Sequence, residues 1–314
     1  MGEPLLAVRQ KSLLPGWIAC APCGSQVHLA LVQRQPERAP AVRWVAQADW
    51  SRPSDALRGL RRHHPLQRHR RVALLERRQY HCLTVDAPAD LPPADWRDAL
   101  RWQVKDSLDF AVDGAAMDLL SIPPGASYRA QQQVIVVAAP EAAVRPLVEL
   151  GADAGCGWQA IDIAETALRN LGALVEPEGR AQALLHCQAD HATLVITFQG
   201  ELLQARHIDL GLAQLDATDP ALREQAYDHA VLELQRTLDG FERAYGQASL
   251  ARLLVAPMPG VERFCEHLRP ALYVPVEPFD ATTALDLTAV PELAADPAAL
   301  NPHLCAIGAA LRDD

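Results

Sequence analysis

The stretch GWIACAPCGSQVHLALVQ, residues 16–33, decides the fold, because its plan returns in ALLHCQADHATLVITFQGELLQARHI, residues 183–208. Each stretch alternates apolar runs with turn residues, which predicts antiparallel strands joined by tight turns. The predicted strands cover residues 18–21, 27–32 and 42–46 in the first half, and 183–187, 193–198 and 202–208 in the second. A three-stranded meander that occurs twice in one chain indicates an internal duplication.

Helical sequence follows each meander, and a further strand follows each helix. In the first half we expect a helix at 53–64 and a strand at 72–76. In the second half Asp219 and Pro220 mark the start of a long helix, as N-cap and first helical residue, and a strand follows at 252–256. The apolar residues of that helix recur at helical spacing: Ala226, Tyr227, Ala230, Val231, Leu234, Leu238 and Phe241. The shared order predicts an α/β fold with two similar halves and a cleft between them.

An insertion separates the two halves. Pro92-Pro93 opens a predicted helix with apolar residues at every fourth position from Trp96 to Leu108. Strands at 117–122 and 134–139 and a helix at 141–154 complete a small α/β subdomain. The expected organisation is a first half at 1–90, an inserted subdomain at 91–158, a return to the first half at 159–182, a second half at 183–300 and a C-terminal helix at 301–314.

The composition argues for a folded protein and against membrane-spanning and nucleic-acid-binding proteins. A chain of 314 residues with 49% hydrophobic residues can bury a sizeable core. No apolar run approaches the roughly 18 residues that a membrane-spanning helix needs, so we expect no span. The formal net charge of −10 disfavours a nucleic-acid-binding protein.

Positive charge is concentrated in residues 52–78, where nine arginines stand against Asp55 and Glu76. Such a segment could meet an acidic partner or lipid headgroups. The more ordinary interpretation, which we favour, is a solvated basic helix and turn. The His63-His64 pair lies inside this segment, and we expect it to be solvated.

Seven cysteines spread along a chain of this size predict reduced thiols in a cytoplasmic protein. Arg9 and Lys11 precede a short apolar stretch that ends at Cys20, an arrangement that resembles a lipoprotein leader. Pro15 interrupts that stretch, and residues 18–21 serve better as a first strand. We therefore expect no lipid anchor.

The common catalytic motifs are absent from the sequence: there is no Walker A loop, no Gly-x-Gly-x-x-Gly, no Gly-x-Ser-x-Gly and no His-Glu-x-x-His. Cys20-Ala21-Pro22-Cys23 resembles the redox pair of thioredoxins, but it leads into a strand rather than a helix. His186, Cys187 and His191 form a small cluster, although neighbouring strand residues face opposite sides, so no metal site is expected. Asp162 and Glu165 are interpreted as structural carboxylates near a helix start.

Seven short segments, in this order and spacing, resemble the PilM family of actin-like type IV pilus assembly proteins. They are ALRW (99–102), LDF (108–110), MD (117–118), VIVVAAP (134–140), IDI (161–163), ELQRTL (233–238) and AIGAALR (306–312). The sequence is most similar to the MshI branch and more distantly similar to the cytoplasmic domain of GspL. The resemblance implies an α/β, actin-like (duplicated RNase H-like) fold with an inserted small α/β subdomain, as in PilM and FtsA.

The chain departs from this family in its nucleotide loops. The first Asp-x-Gly hairpin reads Ala21-Pro22-Cys23, followed by Gly24 and Ser25, and the second reads His186-Cys187-Gln188. The family's Gly-Gly adenosine loop reads Ala256-Pro257, and proline removes a backbone amide. We therefore expect no ATPase activity, no bound cofactor and no metal, with ATP–Mg²⁺ binding doubtful. The alternative is an active ATPase or phosphotransferase with Asp190 as a substitute carboxylate.

The resemblance implies a non-enzymatic scaffold of MSHA-type pilus biogenesis. It would lie in the cytoplasm, peripheral to the inner membrane, and would bind the N-terminal tail of a PilN-type partner between the first half and the insertion. That points to the strand at 72–76 and to Leu108 and Phe110, with Arg77 and Arg78 available for acidic residues. A purely structural role for Leu108 and Phe110 is equally open, as is a homodimer. A redox or metal protein is the third class, and it requires reactive Cys20 and Cys23.

Overall fold

The computed structural model describes residues 13–127, 129 and 131–313, so Arg9 and Lys11 lie outside the described residues. The strands are β1 (Trp17–Cys23), β2 (Gln26–Gln35), β3 (Arg38–Asp49), β4 (Arg70–Leu74), β5 (His81–Asp86), β6 (Ala116–Ser121), β7 (Gln133–Ala139), β8 (Ala160–Asp162), β9 (Ala181–Cys187), β10 (Ala192–Phe198), β11 (Glu201–Ile208), β12 (Leu250–Val255) and β13 (Val276–Pro278). The helices are α1 (Pro53–His63), α2 (Trp96–Gln103), α3 (Glu141–Asp153), α4 (Ala164–Ala173), α5 (Leu212–Leu215), α6 (Pro220–Tyr245), α7 (Val261–Leu268), α8 (Ala281–Ala284), α9 (Pro291–Ala295), α10 (Pro297–Leu300) and α11 (Leu304–Ala310). None of the helices in these ranges combines the length and apolar character needed to cross a membrane.

Two five-stranded sheets share one topology. The first has the order β3-β2-β1-β4-β8 and the second the order β11-β10-β9-β12-β13. In each, three antiparallel strands are followed by two strands that pair in parallel with the sheet. The predicted duplication and the α/β class are confirmed.

The hairpin turns use residues that accept a positive φ. Gly24, at φ +59°, begins the two-residue turn between β1 and β2, and Gln199 and Gly200 close the turn between β10 and β11 at φ +55° and +76°. Pro22 and Cys23 lie in β1 rather than in the turn, where we expected them. Pro22 is tolerated there because the pairing of β1 with β4 ends at Cys20, so no ladder needs its amide.

The long helix α6 starts where the sequence predicts. The Asp219 side chain accepts a hydrogen bond from the backbone N–H of Ala221 at 2.9 Å, and Pro220 occupies the first turn. One face of the helix is buried against the second sheet, including Leu234, Leu238 and Phe241. The capping and periodicity predictions are confirmed.

The inserted part contains a three-stranded antiparallel sheet with the order β5-β7-β6. Leu100 and Val104 of the α2 region pack on it together with Val136. The sheet begins with β5 at His81, ten residues before the expected boundary at 91. The helix α3, which we expected within the insertion, contacts α1 and places Leu150 against the core of the first half.

The C-terminal helix α11 returns to the first half, where it packs on α4, β1 and β2. Gly308 allows the close approach, since a Cβ atom there would lie 2.1 Å from the carbonyl oxygen of Ala167. The Asn170 amide donates to the Gly308 carbonyl oxygen at 2.9 Å. The last described residues therefore complete the core under the first sheet.

Candidate functional site

A cleft of about 320 Å³ lies between the two halves, where the end of the β1–β2 hairpin faces the β9–β10 connection. The residues that the sequence singled out and that border this central cleft are Ala21, Cys23, Gly24, Arg77, Arg78, Gln188 and Asp190. The Gln188 side-chain amide lies 3.7 Å from the Cys23 sulfur, so the two hairpins touch across the cleft. The duplicated hairpins thus meet in space.

Other residues of the predicted nucleotide loops lie outside the cleft lining. Ser25 is exposed at its turn. His186 is buried behind the cleft, where its Nε2 contacts the Asn301 carbonyl oxygen at 3.1 Å, and burial lowers its pKa to about 4. Ala256 continues the backbone pairing to β9, and the Pro257 carbonyl accepts a hydrogen bond from the Asn301 amide at 2.7 Å. These residues support the wall of the cleft.

Two charged groups of the cleft, Asp190 and Arg77, already have partners. Asp190 contacts His191 Nδ1 at 2.7 Å, which lowers the pKa of the carboxyl, and Arg78 adds to that effect. Arg77 lies 3.5 Å from the Asp209 carboxylate. Among the described residues, Glu76 and Asp190 are the carboxylates that border the cavity. The arrangement offers two arginines but no cluster of carboxylates for a divalent cation.

Cys20 and Cys23 do not form a dithiol pair. Both lie in β1, where residues three apart face opposite sides and are about 10 Å apart, beyond the reach of a disulfide. Cys20 is buried in the core under α1, whereas Cys23 borders the cleft with a pKa that burial raises. Within the described residues, no group of three His, Cys, Asp or Glu side chains is placed to hold a metal ion. The thioredoxin-like arrangement is therefore excluded on geometry.

A buried carboxylate joins the two halves below the cleft. Glu165, at the start of α4, is 1% exposed and accepts a hydrogen bond from the Tyr80 hydroxyl. Its other oxygen lies 2.9 Å from Nε2 of His207 on β11, and Thr193 contacts the same imidazole at 3.1 Å. Burial, followed by the nearby carboxylate, raises the pKa of Tyr80 well above its usual value. The structural interpretation of Glu165 agrees with this network, whose partners on distant parts of the chain carry no signal in the local sequence.

We expect Glu165→Ala to lower the free energy of unfolding by about 2–4 kcal/mol, because it leaves the buried Tyr80 hydroxyl and His207 without their shared acceptor. Urea unfolding followed by tryptophan fluorescence measures this loss. The control is Glu266→Ala on the exposed face of α7, where a change within about 0.5 kcal/mol is expected. Equal stabilities for the two variants would contradict a structural role for the Glu165 network.

A second cavity, of about 450 Å³, lies between the first half and α3. We call it the lateral groove, and its lining residues are Pro22, Trp50, Pro53, Ser54, Leu74, Glu76, Gln79, Ala143, Pro146, Leu147, Glu149, Leu150 and Asp153. It corresponds in position to the expected partner site between the first half and the insertion. Only the end of the predicted strand 72–76 reaches it.

The four residues expected to contact a partner lie elsewhere. Arg77 and Arg78 border the central cleft. Leu108 and Phe110 are half-buried against the core of the small sheet, and the Phe110 ring lies 5.6 Å from that of His81. Both residues therefore pack against the core of the insertion, away from the lateral groove, and their role in binding a partner stays a prediction.

The duplicated sheets, the cleft between them and the inserted small sheet define an actin-like α/β fold. No protein-family model matches the sequence, and no curated protein sequence does. The structure is similar to a PilM–PilN type IV pilus biogenesis complex, at 20% identity and a TM-score of 0.66 over 94% of this chain and 97% of that one. It is also similar to a protein of unknown function with an actin-like ATPase fold from Bacteroides thetaiotaomicron, at 9% identity and a TM-score of 0.52 over 88% and 95% of the chains. The cytoplasmic domain of EpsL, an inner-membrane component of the type II secretion system of Vibrio cholerae, matches at 13% identity and a TM-score of 0.46 over 76% and 81%.

Proposed function

We propose that this protein is a non-enzymatic scaffold of type IV pilus biogenesis, of the MshI branch of PilM-like proteins. It binds the N-terminal cytoplasmic tail of a PilN-type inner-membrane protein and is held peripheral to the inner membrane by that partner. The proposal is supported by the similarity over nearly the whole chain to a structure described as a PilM–PilN pilus biogenesis complex. The observation that carries it in this chain is the lateral groove between the first half and α3.

The chemistry of the lateral groove suits a short peptide tail. Pro22, Leu147 and Leu150 give it an apolar floor that can take aliphatic side chains. Glu76, Glu149 and Asp153 surround that floor with carboxylates. A tail that combines aliphatic residues with a basic one would match both features.

The central cleft supports a scaffold without ATP hydrolysis. At the positions that align with the Asp-x-Gly loops of the PilM family, its two hairpins place Ala21, Cys23 and Gln188 on the cleft. None of these side chains carries a carboxylate. Mg²⁺ prefers oxygen ligands that include carboxylates, and Asp190 is already hydrogen-bonded to His191. Pro257 offers no amide for close approach of a nucleotide.

We expect Ala143→Trp to weaken binding of the tail by at least about tenfold, because the half-buried Ala143 lines the lateral groove and an indole would fill it. The measurement is calorimetric titration with a peptide that copies the N-terminal tail of a PilN-type protein from the same genome. Ala142→Trp is the matched control, since Ala142 is the preceding residue of α3 and is exposed outside the groove.

Three outcomes would count against the proposal. Unchanged affinity in Ala143→Trp would remove the lateral groove as the site. Absence of peptide binding by the wild-type protein would remove the partner. Tight ATP–Mg²⁺ binding in a parallel titration would restore a nucleotide-controlled mechanism.

The second candidate is an ATPase or phosphotransferase that uses Asp190. It is favoured by one observation: Asp190 borders the central cleft in its ionised form opposite Arg78. Mg²⁺-dependent phosphate release that disappears in Asp190→Ala would establish it. Absence of release from the wild-type protein would remove this candidate.

A further inference from the structure

The exposed face of α1 and the turn after it form a basic surface. Its arginines are exposed to solvent: Arg52, Arg58, Arg61, Arg62 and Arg68. We call these residues, together with Leu13 and Leu14, the α1 face. Arg58 and Arg62 are one helical turn apart and therefore lie on the same side of α1.

This surface has few compensating charges. Asp55 is the acidic residue of α1, and it lies 3.6 Å from Arg58. Within the described part of the chain, neither Arg62 nor Arg68 forms an ion pair with a carboxylate. The α1 face itself holds five arginines against Asp55, with Asp49 nearby, whereas the whole chain carries a net charge of −10. The α1 face is thus a local excess of positive charge on an acidic protein.

Two exposed leucines lie beside Arg68, at one end of the α1 face. Leu13 is 45% exposed and Leu14 is 36% exposed. The backbone N–H of Leu14 donates to the Arg68 carbonyl at 2.7 Å, and the Pro15 carbonyl lies 3.0 Å from His69 Nδ1. These two contacts hold the leucines next to the end of the basic turn. Exposed apolar side chains at the edge of a group of arginines suit the interface of a bilayer with anionic headgroups.

We propose that the α1 face binds the surface of an anionic phospholipid bilayer directly, with the arginines on the phosphates and Leu13 and Leu14 at the acyl boundary. An acidic protein surface would pair with the arginines but would offer no apolar region in which to bury Leu13 and Leu14. The inference does not depend on the PilN-type partner, because a lipid vesicle contains no protein.

The test is sedimentation of the full chain with phosphatidylglycerol–phosphatidylcholine vesicles and with pure phosphatidylcholine vesicles. We expect binding to the anionic vesicles alone, and loss of that binding at high salt. Arg58→Glu/Arg62→Glu should weaken the partition by at least about 25-fold, since each arginine near the surface contributes about fivefold. Leu13→Ser/Leu14→Ser should weaken it several-fold at unchanged charge.

The control is Arg236→Glu/Arg243→Glu on the exposed side of α6, which changes the net charge by the same amount at a different surface. It should bind anionic vesicles nearly as the wild type does. The proposal is overturned if the α1-face variant and this α6 control weaken binding to anionic vesicles equally. It is also overturned if the wild-type protein binds polyglutamate but not anionic vesicles, which would identify an acidic polypeptide as the partner.

Discussion

Gly308→Ala should destabilise the protein by at least about 3 kcal/mol, although it adds a single methyl group. The added Cβ would lie 2.1 Å from the Ala167 carbonyl oxygen and 2.7 Å from its carbon. These are backbone atoms of α4, so no side-chain rotation can relieve the overlap. Helix α11 must move away from α4, which also strains the hydrogen bond from Asn170 to the Gly308 carbonyl.

Chemical denaturation of the variant measures this effect, and Gly240→Ala provides the matched control. Gly240 also lies inside a helix, α6, but among the described residues no atom beyond its own helical turn lies within 4 Å of the position that its Cβ would occupy. There alanine should stabilise the protein by about 0.5–1 kcal/mol, because it reduces the freedom of the unfolded chain. Effects of the same sign in both variants would show that the α4–α11 contact is looser than the structure indicates.

The second prediction is that stability falls by about 5 kcal/mol between about pH 7.5 and pH 4.5. Burial lowers the pKa of both His186 and His303 to about 4. In the unfolded chain the same imidazoles have a pKa near 6.5, so below that value the unfolded state takes up protons that the folded state does not. The stabilisation contributed by the two neutral histidines is therefore present above pH 6.5 and is lost as the pH falls toward 4, by about 2–3 kcal/mol for each histidine at pH 4.5.

The surroundings explain why these histidines stay neutral. His303 lies against His28, with ring centroids 4.9 Å apart, and the Nδ1 atoms of both are buried without a hydrogen-bond partner among the described residues. A proton on either ring would have no acceptor there and would repel a proton on the other. His186 contacts the Asn301 carbonyl at Nε2 and the Cys305 sulfur, 3.7 Å away, at Nδ1.

Urea unfolding at a series of pH values measures the slope. His186→Gln should remove about 2–3 kcal/mol of the fall, since glutamine has no titratable group and can still donate to the Asn301 carbonyl. His63→Gln, at the exposed end of α1, is the control and should leave the slope unchanged. A pH-independent stability in the wild-type protein over this range would refute the prediction.

The elements that could be predicted from the sequence are those with local causes. Asp219, Pro220 and the apolar spacing after them are sufficient to define α6. The β1–β2 and β10–β11 hairpins are recognisable because Gly24 and Gly200 mark turns between apolar runs. Short strands with weak patterns were missed, such as β5 and β13, because tertiary pairing rather than local preference holds them in place.

Of the central cleft, the residues in recognisable local motifs could be predicted, whereas those that meet only through tertiary packing could not. Cys23 and Gln188 stand out because the resemblance to the PilM family aligns them with its Asp-x-Gly hairpins. Glu165 and His207 are 42 positions apart, and no local pattern indicates that their side chains meet. The sequence predicts a partner site between the first half and the insertion but not the residues that line the lateral groove, because these depend on α3 lying against the first half, a packing arrangement that the helix's own sequence does not specify.

Because α11 covers β1 and β2, the first half cannot complete its core until the C-terminal end of the chain has been synthesised. At about 5–20 residues per second, tens of seconds separate the synthesis of β1 from that of α11. During that interval the inner face of the first sheet lacks its covering helix, so the nascent chain exposes apolar surface and should depend on chaperones. A message truncated shortly before the codon for Leu304 should yield a product that is rapidly degraded, although both sheets have been fully translated.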